Sequence, residues 1–324
     1  MNPEVAGAVE ALVGEGVLAP EQAVLPRRAA RGEILSVRAE LRSLLWLGVS
    51  LVASGVGLLV KENLQRIGPL TIAVALGAGA AACLAWTART APALSWGEQP
   101  SPNLAFDYVL LLGATLVGAD LAFIEVKFTP LGPNWPWHLL GASVIFAALA
   151  FRFDSRIVFS LALSTFAAWR GVSMGTLARA PLGGWHPALL RANAIACGAS
   201  FVVGGYLLLR SRRKPHFEPV AAHMGWLLLL GGLGAGMVES QTGAWWPPWT
   251  LALLTVASAL AWMATRARRF WLFAIGLVGA YAALSRFVVE AFTGETGRET
   301  WFLGSSVALV VILFTTRHRI QETP

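Results

Sequence analysis

Ten nearly continuous apolar stretches recur along the chain between short polar breaks, at 44–60, 67–86, 108–124, 136–151, 156–170, 190–209, 219–238, 247–264, 270–291 and 301–316. At a rise of about 1.5 Å per residue, most of them match the roughly 30 Å hydrocarbon layer of a bilayer. The pattern predicts an all-α fold, a polytopic transmembrane helix bundle of about ten spans. The fifth stretch is the shortest and ends in polar residues, with Ser160, Ser164 and Thr165. If it only re-enters the membrane, every later helix is inverted.

Residues 1–43 read as a separate cytoplasmic helical hairpin, ahead of a bundle over 44–316 and a tail over 317–324. Val5, Val9, Leu12 and Val13 recur at helical spacing. Gly14 and Gly16 suit a helix stop, and Pro20 suits the first turn of a second helix, which Pro26 then breaks. From Ile34 the pattern is helical again and runs into the first span. The segment has six glutamates and no apolar signal-peptide core, so the first membrane helix is expected to act as the targeting signal.

Composition agrees with the pattern. Of 324 residues, 56% are hydrophobic and 13% charged, against about 25% charged in soluble domains. The formal charge of +7 comes from scattered basic clusters without a nucleic-acid motif, so nucleic acid is excluded and anionic lipid headgroups are the expected partner. With the N-terminus inside, 17 basic residues fall in predicted cytoplasmic segments and 6 in outer loops. That bias supports ten spans and places both termini in the cytoplasm, with the protein in the cell inner (cytoplasmic) membrane. Trp135, Trp137, Trp169, Trp185, Trp245, Trp246, Trp249 and Trp301 fall at outer ends, as an interfacial belt or as a cradle for a headgroup. Cys83 and Cys197 sit at different depths, and no disulfide is expected between them.

The stretch Glu15-Gly-Val-Leu-Ala-Pro-Glu-Gln22 leads from a short helical hairpin into many spans. With the segment from Arg38 to Trp86, including Leu58-Leu-Val-Lys-Glu-Asn63, it resembles the bacterial membrane proteins grouped as domain-of-unknown-function family 2157. Where that family often caps its second helix with Ser or Thr, this chain has Ala19. The resemblance implies an architecture and no activity.

A further pattern is repetition. Trp135-Pro-Trp137, a span, Arg152 to Arg156 and a second span ending at Arg170 are echoed by Trp246-Pro-Pro-Trp249, a span, Arg266 to Arg269 and a span reaching Arg286. Residues 107–214 and 219–319 would then form parallel four-helix repeats, a construction known from transporters.

Ionisable residues within spans point to function, because burying one costs several kcal/mol unless it is paired or wetted. Asp120, Glu125, Arg170, Arg191, Arg286 and Glu290 lie in the outer halves of their spans and form the candidate polar site. In it Asp120 would take a proton or cation and the arginines an anionic group. The competing reading is that the outer charges snorkel or pair at the interface and only Asp120 needs a partner. No zinc-ligand spacing, phosphate loop or nucleophile elbow occurs, so neither a metal nor a cofactor is expected, and His138 and His186 read as lone interfacial histidines. The outer loops are too short for the catalytic domain of a lipid-sugar-dependent glycosyltransferase. Three functions stay open: a carrier with an outward-facing polar site, a structural or sensory protein that recruits a protein partner through its N-terminal hairpin, and a membrane enzyme acting on a lipid-linked substrate.

Overall fold

In the computed structural model the described residues are 10–16, 18–19, 21–24, 51, 68–99, 101–177, 187–239, 246–291 and 295–321. Among them there is no strand. The chain divides into two compact units, Met1–Thr71 and Ile72–Pro324. In the first unit, a helix over 10–14 ends at Gly16, whose φ of 71° is left-handed. The amide of Ala19 donates to the Gln22 side chain at 3.3 Å, which is half of a capping box at a position whose own side chain has no oxygen. Most of the expected hairpin over 1–43, and the first span at 44–60 apart from residue 51, lie outside the described residues.

The second unit is built from long helices: α1 (Pro69–Thr90), which belongs to it from Ile72 on, α2 (Leu104–Phe128), α3 (Pro136–Phe153), α4 (Arg156–Leu177), α5 (Pro187–Arg210), α6 (Glu218–Glu239), α7 (Trp246–Arg266), α8 (Phe270–Ala291) and α9 (Glu295–Gln321). All of these except α4 are long and apolar enough to cross a membrane, which is the construction of a multi-pass membrane protein. Large apolar side chains on their outer faces, such as Trp271, Leu303 and Val307, are more than 60% exposed, a surface suited to lipid and not to water. α4 falls short of that apolar length, yet it runs unbroken for 22 residues, seven beyond the expected end at 170.

Three helical hairpins turn at one end of the bundle, the end expected to face the cytoplasm. α3 passes to α4 through Asp154 and Ser155, and α7 passes to α8 through 267–269. Both turns use the same device. A left-handed residue, Asp154 (φ 61°) or Arg268 (φ 54°), is followed by an amide that reaches back five residues, Ser155 to Ala150 at 3.3 Å and Arg269 to Ala264 at 2.9 Å. α5 passes to α6 through left-handed Arg212 and Lys214 and a 3₁₀ turn, Pro215–Phe217.

Two buried clusters hold these hairpins together. One joins Phe106 and Leu110 of α2, Phe146 of α3, Val158 and Phe159 of α4, and Phe217 before α6, with Phe159 and Phe217 stacked at 4.5 Å. The other joins Leu230 and Leu233 of α6, Leu253, Ala257 and Leu260 of α7, and Leu272 and Phe273 of α8. Small residues set the closest approaches, as expected where lipid supplies no hydrophobic drive between helices. A Cβ on Gly198 of α5 would fall 2.5 Å from the Gly225 carbonyl oxygen of α6, and one on Gly276 of α8 would fall 2.7 Å from the Ala257 carbonyl oxygen of α7.

Candidate functional site

At the end expected to face outward, α2 closes with Thr129 in the left-handed conformation (φ 46°), its amide donating to the Glu125 carbonyl at 2.9 Å. Pro130 and Pro133 then steer the chain through a 3₁₀ turn, Gly132–Asn134, and Pro136 opens α3. This compact reversal lays His138 over the last turn of α2. The His138 Nε2 meets Glu125 Oε2 at 2.7 Å, and the Leu131 amide donates to the same oxygen at 3.2 Å. Glu125 is only 8% exposed.

The pair closes one side of a cleft of about 440 Å³ between α2 and α3. Its other walls are apolar, including Leu121, Ala122, Val126, Leu139 and Ala142, with Trp135 at its edge. A cleft of this size with few polar groups has the character of a small-molecule site. Gly118 lets α3 approach the floor, since a Cβ there would sit 3.0 Å from the Phe146 ring.

The six charged candidates occupy distinct settings. Glu125 alone among them lines the cleft. Asp120, five residues earlier on α2, is turned to α1, where a Cβ on Gly77 would lie 3.1 Å from its Oδ2, and its buried Oδ1 has no hydrogen-bond partner among the described residues. Arg191 and Arg286 gather on the first turn of α7. The Arg191 guanidinium lies 4.2 Å from the Trp249 ring centre, a fit that requires Gly236, where a Cβ would meet that ring at 2.6 Å. The Arg286 guanidinium lies 5.0 Å from the Trp246 ring and pairs with Glu290, one turn along α8, at 3.3 Å. Arg170 lies on α4, outside the lining of the cleft.

The opposite end holds a charge cluster that reading the sequence does not single out. Asp154 Oδ1 lies 2.9 Å from Lys214 Nζ and 2.6 Å from His216 Nε2, and all three side chains are at most 6% exposed. Both contacts are at ion-pair distance but off the line of a hydrogen bond, so neither nitrogen of His216 has a hydrogen-bond partner among the described residues. The Gln99 amide donates to Asp154 Oδ2 at 2.6 Å, and the Lys214 amide donates to the Trp96 carbonyl at 2.8 Å. Arg213 stacks on Trp96 at 5.0 Å, and Arg156 pairs with Glu98 at 2.6 Å. Beside this group Arg269 pairs with Glu218 at 2.5 Å, a hydrogen bond that holds the guanidinium above its ordinary pKa. Together these contacts tie the segment before α2 and the α3–α4 and α5–α6 turns into one clasp.

Comparison with known proteins finds no matching family model, no matching curated protein and no matching solved structure.

Proposed function

We propose that this chain is a carrier-like protein of the cell inner membrane, in which the cleft closed by Glu125 and His138 receives cargo from the outer side and exchanges a proton for it. The observation that carries the reading is a carboxylate, 8% exposed, held against an imidazole at 2.7 Å inside an apolar cleft. A carboxylate and an imidazole at that distance are within hydrogen-bonding reach, and in an apolar setting any charge there governs what else can enter.

One-sided access supports the same reading. The residues that line the cleft gather toward one end of the α2–α3 hairpin, while the Asp154 clasp binds the segments at the other end. A carrier caught with its outer side open and its inner side tied has this arrangement. The ten-span topology with cytoplasmic termini, the N-terminal hairpin and the parallel repeat belong to the proposal, and the matching turns at Asp154 and Arg268 favour the repeat.

The test is electrical. The full chain is reconstituted in liposomes on a solid-supported membrane, and a pH gradient is imposed in the presence of cationic, anionic and zwitterionic compounds in turn. The wild type should give transient currents with one class, and Glu125→Gln should abolish them while keeping a monodisperse elution profile. Wild-type currents equal to those of empty liposomes for every class would remove the carrier reading.

A further inference from the structure

Resting on the carrier reading, we infer that the cargo is a lipophilic monocation, an amphiphile whose positive centre meets Glu125 and whose apolar body fills the α2–α3 cleft. The lining decides both halves of that description. Among the described residues Glu125 is its one anionic group, His138 its only other titratable one, and no lysine or arginine lines it. Of the neighbouring charges on α2, Lys127 is exposed outside the cleft and Asp120 is turned to α1. A monoanion would therefore meet the Glu125 carboxylate with no counter-charge, a repulsion that an apolar wall strengthens.

A cation finds the reverse. When the imidazole is protonated and the carboxylate ionised, the pair is neutral and attracts no net charge. When that proton leaves to solvent, the pair carries one negative charge, and a monocation restores neutrality. Proton and cargo thus compete for the same carboxylate, one charge for one charge. Trp135 in the lining is an aromatic side chain, whose attraction to a cationic centre needs no polar hydrogen on the ligand. The remaining walls offer carbon to an aryl or alkyl body, and a volume of about 440 Å³ admits a ligand of that kind.

Tetraphenylphosphonium and tetraphenylborate separate charge from shape, because they are nearly isosteric and opposite in sign. Calorimetric titration of the full chain in detergent, in two buffers of different ionisation enthalpy, counts the protons released. The phosphonium should bind saturably with proton release, and the borate at least about tenfold more weakly. Glu125→Gln should reduce phosphonium affinity about tenfold or more and remove the proton release. Leu121→Trp, which fills the cleft and leaves the pair intact, should block the phosphonium as well, so that a folding defect in one variant does not decide the matter. Equal binding of both ions, or undiminished phosphonium binding by Glu125→Gln, would overturn the cation assignment. Phosphonium binding without any proton-driven current would leave this inference standing and defeat the carrier reading, whereas currents with another compound class and no phosphonium binding would do the opposite.

Discussion

Asp154 and Lys214, sixty residues apart and both in the left-handed backbone conformation, meet at 2.9 Å with their side chains almost wholly buried. Each residue sits in the turn of a helical hairpin, so the ion pair locks one turn against another. Taking both charges out of water is costly, and their attraction offsets that cost only while both remain.

Loss of either partner should therefore be expensive. Asp154→Leu or Lys214→Met is expected to destabilise the protein by about 3–5 kcal/mol, read as the shift of thermal unfolding in detergent, while the double variant costs less than the sum of the two. Additive effects of the two substitutions would mean that the pair contributes no coupling.

Helix contacts give a second expectation. Gly198→Ala and Gly276→Ala place a methyl group 2.5 Å and 2.7 Å from backbone oxygens of the facing helix. Each should cost about 1–3 kcal/mol by forcing the helices apart. At Gly204 and Gly231 a Cβ would have nothing within 4 Å, and alanine there should be neutral or slightly stabilising through its better helix propensity. A fluorescence melting series on the four variants distinguishes the two groups.

Topology can be checked by thiol labelling in a background with Cys83 and Cys197 replaced by serine. A single cysteine at exposed Thr129 should react with an impermeant reagent applied to intact cells, and one at exposed Arg268 should react only after permeabilisation. The reverse pattern would invert the bundle and put the Glu125 cleft on the cytoplasmic side.

The helices were legible because membrane burial is written as plain apolar length. The stretch 270–291 and α8 coincide, and 247–264 differs from α7 by one residue at the start and two at the end. α2 begins four residues before the expected 108 because Asn103 caps it, accepting the Phe106 amide at 2.8 Å. The Glu125–His138 contact was hidden, since it depends on a left-handed Thr129 and a 3₁₀ turn that fold thirteen residues back on themselves. A glutamate and a histidine on either side of a Pro-Leu-Gly-Pro turn were the available signal. The Asp154 clasp was hidden for another reason: in the sequence Arg156 and Lys214 mark only helix ends and the side of the membrane, and long-range pairing leaves no mark on local pattern.

Asp120 offers the sharpest separation of packing from chemistry. Its Oδ2 faces a glycine on α1 and its buried Oδ1 has no hydrogen-bond partner among the described residues, so the side chain adds little to packing and bears an uncompensated polar burial. Such a group typically costs about 1–3 kcal/mol, and a protein keeps it where proton or ion movement needs it. Asn preserves the size and most of the hydrogen-bonding capacity but cannot titrate. Asp120→Asn should therefore melt at or above the wild-type temperature while the proton-driven current falls. Gly77→Ala, whose methyl would sit 3.1 Å from Oδ2, should push the carboxylate aside and lower the current in the same direction without removing the charge. A packing role makes the opposite forecast: Asp120→Asn would leave the current unchanged, and Asp120→Leu, which cannot hydrogen-bond, would be the variant that unfolds. Melting temperature and current measured on the same three preparations decide between them.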